Sequence, residues 1–513
     1  MEPPPKPRTA VGWVGLFVGP AVALLLVCGR QTGVVLDAEH PELNAMAAVT
    51  ALMAIWWVTE ALPLAATALL PLVLFPVLSI LPTQQVAAAY GDRMIFLFLG
   101  GFIIALGVER SGLHRRVALA IVAAVGDSPR RVVLGFMIAT AALSMWISNT
   151  ATTLLLLPIA TSVLTQAGAR GESDEVRRFG IALLLGIAYA ASIGGFATLI
   201  GTPPNLAMAA IFQSTFPDAP SITFGGWMLM ALPLSMAYLA LAWLVLTFVA
   251  FPTGRQRLLG GGQVIAAARR DLGPITAAEI RMATIVAVTA ALWVFRRPVD
   301  GWGWSHWLGW DVPGQLPAVD DANIAVLMAL VCFIVPSRGL RGEPLMNWQT
   351  AARLPWGILL LFGGGLALAR GLAATGLDVY LGNWFGGRLI GTSDLAMVAG
   401  TATAMTFFTE LTSNLASVNM SLPILARVAQ TVECDPRLIM IPATIAASCA
   451  FMLPVATPPN AIVFGSGKLE VGHMLKAGIW LNLLGVGLIA LFVYLLGVPV
   501  LGIQTAEFPQ WAR

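Results

Sequence analysis

Charge is scarce in this sequence. Of its 513 residues only 11% are charged and 58% are hydrophobic, and the mean hydropathy is +0.82. A water-soluble chain of this length needs a larger charged surface, so a soluble globular fold is excluded. Apolar runs of about 20 residues, each able to cross a hydrocarbon layer of roughly 30 Å, recur along the whole chain. The sequence therefore predicts an all-α polytopic membrane protein.

Cysteine and histidine are also rare, with four of each. The cysteines lack metal or redox spacing and the histidines lack partners at ligand spacing, so neither a resident metal nor an organic cofactor is predicted. No histidine or paired carboxylate is placed to activate a nucleophile, which disfavours a membrane enzyme. No basic run with aromatic residues indicates nucleic-acid binding. These residues are Cys28, Cys332, Cys434, Cys449, His40, His114, His306 and His473.

About 11 apolar segments are predicted to cross the bilayer. Two others, 132–165 and 394–427, have a polar Ser-Asn pair at their middle, and we interpret both as re-entrant hairpins. Polar, non-helical backbone at membrane depth is tolerated only where protein or a wet cavity surrounds it. The predicted crossings are 11–29, 44–61, 62–80, 93–109, 179–212, 225–252, 282–296, 322–336, 354–372, 438–465 and 478–500.

Most of the 29 Lys and Arg residues fall in loops on one side of this layout. The positive-inside rule then predicts a bacterial inner-membrane protein with a cytoplasmic N-terminus and an external C-terminus. We interpret the first apolar run as a retained helix, because no small-residue cleavage site follows it. The predicted organisation is an N-terminal segment with the first helix (1–43), a first repeat (44–252), a cytoplasmic linker (253–281), a second repeat (282–503) and a tail (504–513).

The two repeats carry the same motifs in the same order. A Ser-Asn pair in each hairpin is followed by a Thr-Pro-Pro-Asn sequence in an apolar run, and five predicted crossings separate the two hairpins. Five is odd, so the second copy must be inverted, as in transporters that bind substrate near the midplane between discontinuous helices. The motifs are Ser148-Asn149-Thr150, Gly201-Thr202-Pro203-Pro204-Asn205, Ser413-Asn414 and Ala456-Thr457-Pro458-Pro459-Asn460.

The proline pairs predict what these motifs can bind. Proline lacks an N–H donor and pushes the preceding residue out of helical geometry, so each helix must break there. Exposed carbonyls at a break, together with Ser and Asn oxygens, suit Na⁺, while half-helix N-termini attract an anion. We expect Asn205 and Asn460 to cap the resuming helices. A simpler alternative is a set of proline-kinked helices without a ligand, which four motifs in matched order disfavour.

No Lys or Arg lies within the motifs, the nearest being Arg131, Arg170 and Arg427. A carboxylate at the bilayer centre needs compensation of several kcal/mol, whereas a helix dipole supplies only about 0.3–2 kcal/mol. The remainder must come from bound cations, which predicts sodium coupling, although a neutral substrate would fit the same observation.

At these motifs the sequence resembles the divalent anion/sodium symporter family of di- and tricarboxylate transporters, over nearly the whole chain. The resemblance implies sodium-coupled symport of a divalent anion such as a C4-dicarboxylate, and a homodimer whose transport domain moves as an elevator against a scaffold. Exchange of anions by the same fold and a passive channel remain as alternatives. The residues that carry the resemblance are 56–61 (WWVTEA), 148–152 (SNTAT), 200–205 (IGTPPN), 409–414 (TELTSN) and 452–462 (MLPVATPPNAI).

The resemblance also implies site residues. Leu415 stands where many bacterial members have Thr, which removes a hydroxyl from the second carboxylate contact. Glu60 and Glu410 are acids in apolar runs, and they are interpreted either as ion ligands or as hydrogen-bonding partners of their surroundings. The implied sodium ligands are Ser144, Ser148, Asn149 and Gly201 in one site and Thr409, Thr412, Asn414 and Ala456 in the other. The implied substrate contacts are Asn149, Thr150, Thr202, Pro203, Asn414, Thr457 and Pro458.

Overall fold

The described residues of the computed structural model are almost entirely helical. Apart from an isolated bridge between Pro336 and Pro344, they contain no β-structure. Within them, nine helices are long and apolar enough to cross a membrane, which confirms the all-α polytopic prediction. The structure describes residues 9–29, 33–37, 40–126, 128–168, 173–254, 261–297, 303–310, 318–337, 343–505 and 507–513.

The helices of the first half and the linker are numbered α1 to α13. The helix α12 continues directly into a π-helical turn, Val245–Ala250. They are α1 (Ala10–Val27), α2 (Pro41–Thr59), α3 (Leu64–Thr67), α4 (Leu70–Val77), α5 (Thr83–Ala89), α6 (Arg93–Ser111), α7 (Leu113–Val125), α8 (Pro129–Ser144), α9 (Asn149–Gly168), α10 (Asp174–Gly195), α11 (Pro203–Thr215), α12 (Phe224–Leu244) and α13 (Gly261–Asp271).

The second half follows the same plan. Its long last helix also ends in a π-helical turn, Val493–Gly497, and a 3₁₀ turn closes the chain at Gln510–Ala512. The helices are α14 (Ala277–Val294), α15 (Trp304–Trp307), α16 (Asp321–Ile334), α17 (Trp348–Ala351), α18 (Trp356–Thr375), α19 (Leu377–Gly386), α20 (Asp394–Thr409), α21 (Asn414–Thr431), α22 (Arg437–Ala447), α23 (Pro458–Phe464), α24 (Val471–Phe492) and α25 (Val498–Leu501).

One predicted crossing is not a continuous helix. The segment 62–80 is two short helices, α3 and α4, rather than one span. Pro71 at the start of α4 has no N–H, and its ring would clash with the carbonyl four residues earlier, on Thr67, where α3 ends. The predicted linker also contains a helix, α13, whereas residues 255–260 of that linker fall outside the described residues.

Both hairpins are confirmed as pairs of helices that break at the Ser-Asn motif. The helix α8 ends at Ser144 and α9 begins at Asn149, while α20 ends at Thr409 and α21 begins at Asn414. The two Thr-Pro-Pro-Asn sequences likewise separate α10 from α11 and α22 from α23. The series α6 to α12 therefore corresponds, helix by helix, to the series α18 to α24.

Two short helices that the sequence analysis did not predict complete this correspondence. Each directly follows a crossing helix across a glycine in the left-handed region, Gly112 before α7 and Gly376 before α19, with φ of 81° and 74°. Glycine adopts that conformation without the Cβ penalty of other residues, so the chain turns sharply at both places. We call α7 and α19 the arm helices.

Glycine also allows the first hairpin to pack against the first broken helix. The helices α8 and α10 are neighbours, and a Cβ on Gly194 would lie 2.3 Å from the carbonyl oxygen of Ala141. Close approach of backbones through small residues is the usual way in which membrane helices associate. This contact holds the end of α10 beside the hairpin tip.

We predict that Gly194→Ala destabilises the protein by roughly 1–3 kcal/mol, because α8 must shift to admit the methyl group. The measurement is the thermal midpoint in detergent, followed by size-exclusion chromatography. Gly487→Ala on α24 is the matched control, since nothing lies within 4 Å of its Cβ position. Equal midpoints for both variants would contradict the packing argument.

Candidate functional site

The tip of the first hairpin is attached to the end of the first broken helix. The Ser144 hydroxyl lies 2.6 Å from Asn149 Oδ1 and 2.7 Å from the carbonyl oxygen of Ala191, on α10. A Cβ on Gly195 would lie 2.7 Å from the same Asn149 oxygen. The side chain of Asn149 is therefore held against the helix break, with Ser144 fully buried beside it.

The second hairpin repeats this arrangement. The Thr409 hydroxyl lies 2.9 Å from Asn414 Oδ1 and 2.9 Å from the carbonyl oxygen of Ala447, on α22. Thr409 is fully buried, as Ser144 is. Each half thus places one hydroxyl, one asparagine amide and one helix-end carbonyl together.

The asparagines of the Thr-Pro-Pro-Asn sequences brace the two breaks. Asn205 Nδ2 donates to the carbonyl oxygens of Phe196 (3.2 Å) and Thr198 (2.7 Å). Asn460 Nδ2 donates to those of Ala450 and Leu453, both at 3.0 Å. The prediction that these side chains cap the resuming helices is wrong, because each reaches back across the break instead. At α23 the cap is Thr457, whose hydroxyl accepts from the Asn460 N–H.

The two halves attach the hairpin to the break in different ways. In the first half, the Thr198 hydroxyl donates to the carbonyl oxygen of Met145 over 2.6 Å. In the second half, the carboxylate of Glu410, at the position that corresponds to Met145, takes this place. The Glu410 side chain is only 4% exposed. A buried carboxylate is tolerated only where several hydrogen-bond donors surround it.

Glu410 receives four hydrogen bonds. The backbone N–H groups of 451, 452 and 453 donate to it at 2.8, 2.9 and 3.1 Å, and the Asn482 amide of α24 donates at 2.8 Å. The Glu410 carboxylate thereby pairs with N–H groups that the break would otherwise leave buried and unpaired. Of the two interpretations offered for this residue, the hydrogen-bonding one matches the geometry. Glu60, in contrast, is an exposed residue at the end of α2.

The two breaks meet each other. The Tyr189 hydroxyl on α10 donates to the carbonyl oxygen of Phe451 over 2.7 Å, and the two rings are 4.9 Å apart. The helix α9 packs against α23 of the other half, and α11 packs against α21. The tips and breaks of both halves therefore form one cluster, as an inverted repeat with a shared site requires.

The remaining predicted site residues line the same cluster. Ser148 and Thr150 are half-buried, and the Ser148 hydroxyl accepts from the Ala151 N–H at 3.2 Å. Gly201 has no room for a side chain, since a Cβ would lie 3.0 Å from the Ser144 carbonyl oxygen. Thr202, Ala456 and Thr457 are buried, Pro203 is half-buried and Pro458 is exposed.

Two residues of the second half depart from the first. The Thr412 hydroxyl is hydrogen-bonded to the Ser417 hydroxyl. Leu415 is 5% exposed and belongs to the hydrophobic core, whereas the corresponding Thr150 is half-buried. The second half therefore offers fewer free hydroxyl groups.

Several buried oxygens of this cluster have no hydrogen-bond partner among the described residues. They occur at matched positions: Oδ1 of Asn205 and Asn460 at the braces, and the hydroxyls of Ser192 and Ser448, each one residue after a helix-end carbonyl. Buried polar atoms are normally paired, so unpaired oxygens at a break suit a bound cation or water. The serines were missed from sequence because single serines in apolar runs carry no signal.

No arginine compensates charge at the cluster within the described residues. Arg131 lies at the start of α8 near Gly126, and Arg427 is paired with Asp378 at 2.6 Å. Arg170 falls outside the described residues. Among those residues, no group of three or more His, Cys, Asp and Glu side chains could hold a metal ion either.

A polytopic helical chain with paired hairpins and broken helices that share a neutral, oxygen-rich cluster belongs to the class of secondary transporters. The family described as the sodium:sulfate symporter transmembrane region matches residues 35–503. The chain belongs to this family, the divalent anion/sodium symporters.

Relatives of known name agree with this assignment, and solved structures share the fold. The sodium-dependent dicarboxylate transporter SdcS of Staphylococcus saprophyticus is 40% identical over 502 residues, covering 96% of this chain and 93% of the relative. SdcS of Staphylococcus aureus (strain NCTC 8325) is 39% identical over 504 residues, covering 97% and 94%. The fold is similar to that of Neisseria gonorrhoeae MtrF, with a TM-score of 0.57 and 16% identity, covering 81% of this chain and 84% of MtrF. It is also similar to that of the Alcanivorax borkumensis YdaH transporter, with a TM-score of 0.56 and 15% identity, covering 81% of this chain and 88% of YdaH.

We predict that Glu410→Gln lowers the thermal midpoint clearly, because the amide cannot accept all four hydrogen bonds and leaves buried N–H groups unpaired, at about 1–3 kcal/mol each. Glu60→Gln makes the same chemical change at an exposed position and serves as the control. Thermal unfolding in detergent measures both. A Glu410→Gln protein as stable as the control would show that the carboxylate does not hold the break.

Proposed function

We propose that this protein is a symporter that couples the transport of a C4-dicarboxylate to sodium ions. The supporting observation is the matched pair of oxygen clusters at the two helix breaks, together with the absence of Lys and Arg from the motifs that form them. A dianion at such a site needs positive charge, and helix N-termini supply too little of it. The relatives of about 40% identity are named sodium-dependent dicarboxylate transporters.

The proposed sodium ligands in the first half are Ser144, Ser148, Asn149 and the Gly201 carbonyl. In the second half they are Thr409, Thr412, Asn414 and the Ala456 carbonyl, of which Thr412 must give up its bond to Ser417. Each set combines hydroxyl, amide and carbonyl oxygens, which discontinuous helices commonly offer to Na⁺. The sodium ions are transported together with the substrate and are not resident cofactors.

The proposed substrate site lies between these sets. One carboxylate would contact Asn149, Thr150 and the start of α11 at Thr202 and Pro203, where the helix dipole favours an anion. The other would contact Asn414, Thr457 and Pro458. Because Leu415 is buried in the core, we propose that the second carboxylate is held by fewer hydroxyl groups than the first.

The proposed mechanism is an elevator. The hairpins, the broken helices, α12 and α24 would move together as the transport domain, against a scaffold that includes α2, α6, α16 and α18. The packing supports this division, because α6 packs against α16, while α12 packs against α10 and α24. The helix α18 packs against α2 and also against α11 and α21, so it would lie at the interface with the transport domain. The earlier boundaries remain as proposed: two repeats, 44–252 and 282–503, around a linker at 253–281.

The proposed setting is the bacterial inner membrane, with the N-terminus inside, the C-terminus outside and two chains forming a dimer. The loop charges support the orientation, although Lys6 and Arg8 at the N-terminus fall outside the described residues. In this orientation the first hairpin opens to the cytoplasm and the second to the outside.

Uptake of labelled succinate into proteoliposomes tests the proposal. We expect uptake to require an inward Na⁺ gradient and to fall to background when choline replaces sodium. Malate should compete, whereas a monocarboxylate should not. Uptake that persists without sodium rejects symport, and uptake that appears only with internal dicarboxylate selects exchange.

A second prediction concerns the two amides at the hairpin tips. Asn149→Ala and Asn414→Ala should each reduce sodium-dependent uptake by tenfold or more, because each removes an oxygen from both a proposed ion site and the substrate site, worth about 1–3 kcal/mol. Asn323→Ala, at an exposed position on the scaffold helix α16, is a control that should retain uptake. Full transport with unchanged sodium dependence in either tip variant would show that its assignment is wrong.

A further inference from the structure

The corresponding helices of the two repeats allow their surroundings to be compared position by position. Within the proposed transport domain the comparison shows equivalence. In each half the first leg of the hairpin packs on the broken helix of the same half, α8 on α10 and α20 on α22. The second leg packs on the resumed helix of the other half, α9 on α23 and α21 on α11. The domain is therefore internally symmetric, and any asymmetry must lie in how it meets the scaffold and the arm helices.

The arm helices meet different legs of the two hairpins. In the second half α19 packs along α21, and a Cβ on Gly386 would lie 2.8 Å from Thr431 Cβ. In the first half α7 packs along α8 instead, where a Cβ on Gly135 would lie 3.3 Å from Val122 Cα. The position on α20 that corresponds to Gly135 is Gly400, and nothing lies within 4 Å of its Cβ position.

The scaffold helices show the same offset. A Cβ on Gly101 of α6 would lie 3.5 Å from Ile200 at the first break, close to the substrate site. The corresponding glycine of α18 is Gly365, and a Cβ there would lie 2.3 Å from Asn419 Cγ. Asn419 is more than one turn along α21 from the second hairpin tip. The transport domain is thus displaced along the scaffold toward the side on which the first hairpin opens.

A cavity marks the side to which the domain is displaced. It has a volume of about 300 Å³ and lies between the start of α7 and the tip of the first hairpin. Leu154 lines it and is 54% exposed, whereas the corresponding Asn419 is 1% exposed. The linker helix α13 packs against both α7 and α9 and occupies part of this gap. In the proposed orientation this is the inward-facing state.

An ion pair joins the arm helix to the hairpin on the opposite side. Arg427 Nε of α21 lies 2.6 Å from Asp378 Oδ2 of α19, and the Asp378 side chain is 3% exposed. Arg427 also donates to Gln430 Oε1 at 2.6 Å, and Gln430 donates to the carbonyl oxygen of Ala512 at 2.5 Å. The corresponding positions of the first half, His114 and Ser162, form no such pair, since His114 lines the open cavity.

We propose that the Asp378–Arg427 ion pair is a latch that keeps the external side closed in the inward-facing state. In the outward-facing state α19 then packs along α20 instead of α21. Gly400 of α20 lies near Gly386 of α19 in that state, just as Gly135 lies near Val122 in the first half. This inference rests on the proposed alternating-access function. It assigns Asp378 and Arg427 as positioning residues, which act through helix packing and do not touch substrate.

Disulfide cross-linking tests the latch. In a background with the four native cysteines replaced, Asn383→Cys with Thr431→Cys reports the closed external side, because these side chains are hydrogen-bonded at 3.0 Å. Leu389→Cys with Gly400→Cys reports the exchanged packing, because in the first half a Cβ on the corresponding Gly135 would lie 3.3 Å from Cβ of Val125, which corresponds to Leu389. We expect Asp378→Asn and Arg427→Gln to shift the ratio of the two cross-links toward the second by about tenfold or more. The charge reversal Asp378→Arg with Arg427→Asp should restore the first.

Arg370→Gln is the matched control, because Arg370 pairs with Asp92 between α18 and α6 inside the scaffold. It should leave both cross-links unchanged. Where Asp378→Asn fails to fold, Arg427→Lys keeps the charge but not the guanidinium geometry and should give an intermediate ratio. Cross-link ratios that do not respond to either latch residue overturn the proposal.

The cross-links are formed in isolated membranes without a sodium gradient, so their outcome does not depend on symport. Sodium-independent uptake with responsive cross-links would reject the proposed function and keep the latch. Sodium-dependent uptake with unresponsive cross-links would reject the latch and keep the function.

Discussion

The whole arrangement depends on satisfying backbone groups where two helices break inside an apolar protein. A break exposes carbonyls on one side and N–H groups on the other, and in a membrane no bulk water pairs with them. Here one asparagine amide at each break donates hydrogen bonds to two carbonyl oxygens, and at the second break the Glu410 carboxylate accepts hydrogen bonds from three backbone N–H groups. The unpaired oxygens that remain at matched positions, Oδ1 of Asn205 and Asn460 and the hydroxyls of Ser192 and Ser448, lie on the broken helices, where a cation can bind.

Much of this could be predicted from the sequence because the signals are local. Proline pairs interrupt a helix wherever it lies, and a Ser-Asn pair inside an apolar run is costly unless the chain turns there. The hairpins and the broken helices follow from these rules, whereas the grouping of Ser144 with Asn149 was implied by the family resemblance. The repeated order of the motifs predicted which segments of the two halves correspond.

Other features could not be read from the sequence because they depend on tertiary contacts. The arm helices α7 and α19 are short and lie next to longer apolar runs, so hydropathy does not separate them, although Gly112 and Gly376 mark where they start. The role of Asn205 depends on carbonyls several residues earlier, which capping rules do not consider. The ion pair of Asp378 with Arg427 joins two helices whose contact exists in only one of the two repeats.

The repeats are equal in geometry but differ in chemistry. The first break is joined to its hairpin by a hydroxyl, Thr198, whereas the second is joined by a carboxylate beside Thr409. With the ion sites as proposed, this charge favours a cation in the second half and disfavours an anion there, since Coulomb interactions are strong where water is excluded. Leu415 removes a substrate hydroxyl from the same half. In the proposed site both differences act in one direction, and we expect the first half to carry more of the anion binding and the second more of the cation binding, although the hairpin and the broken helix follow the same path in each half.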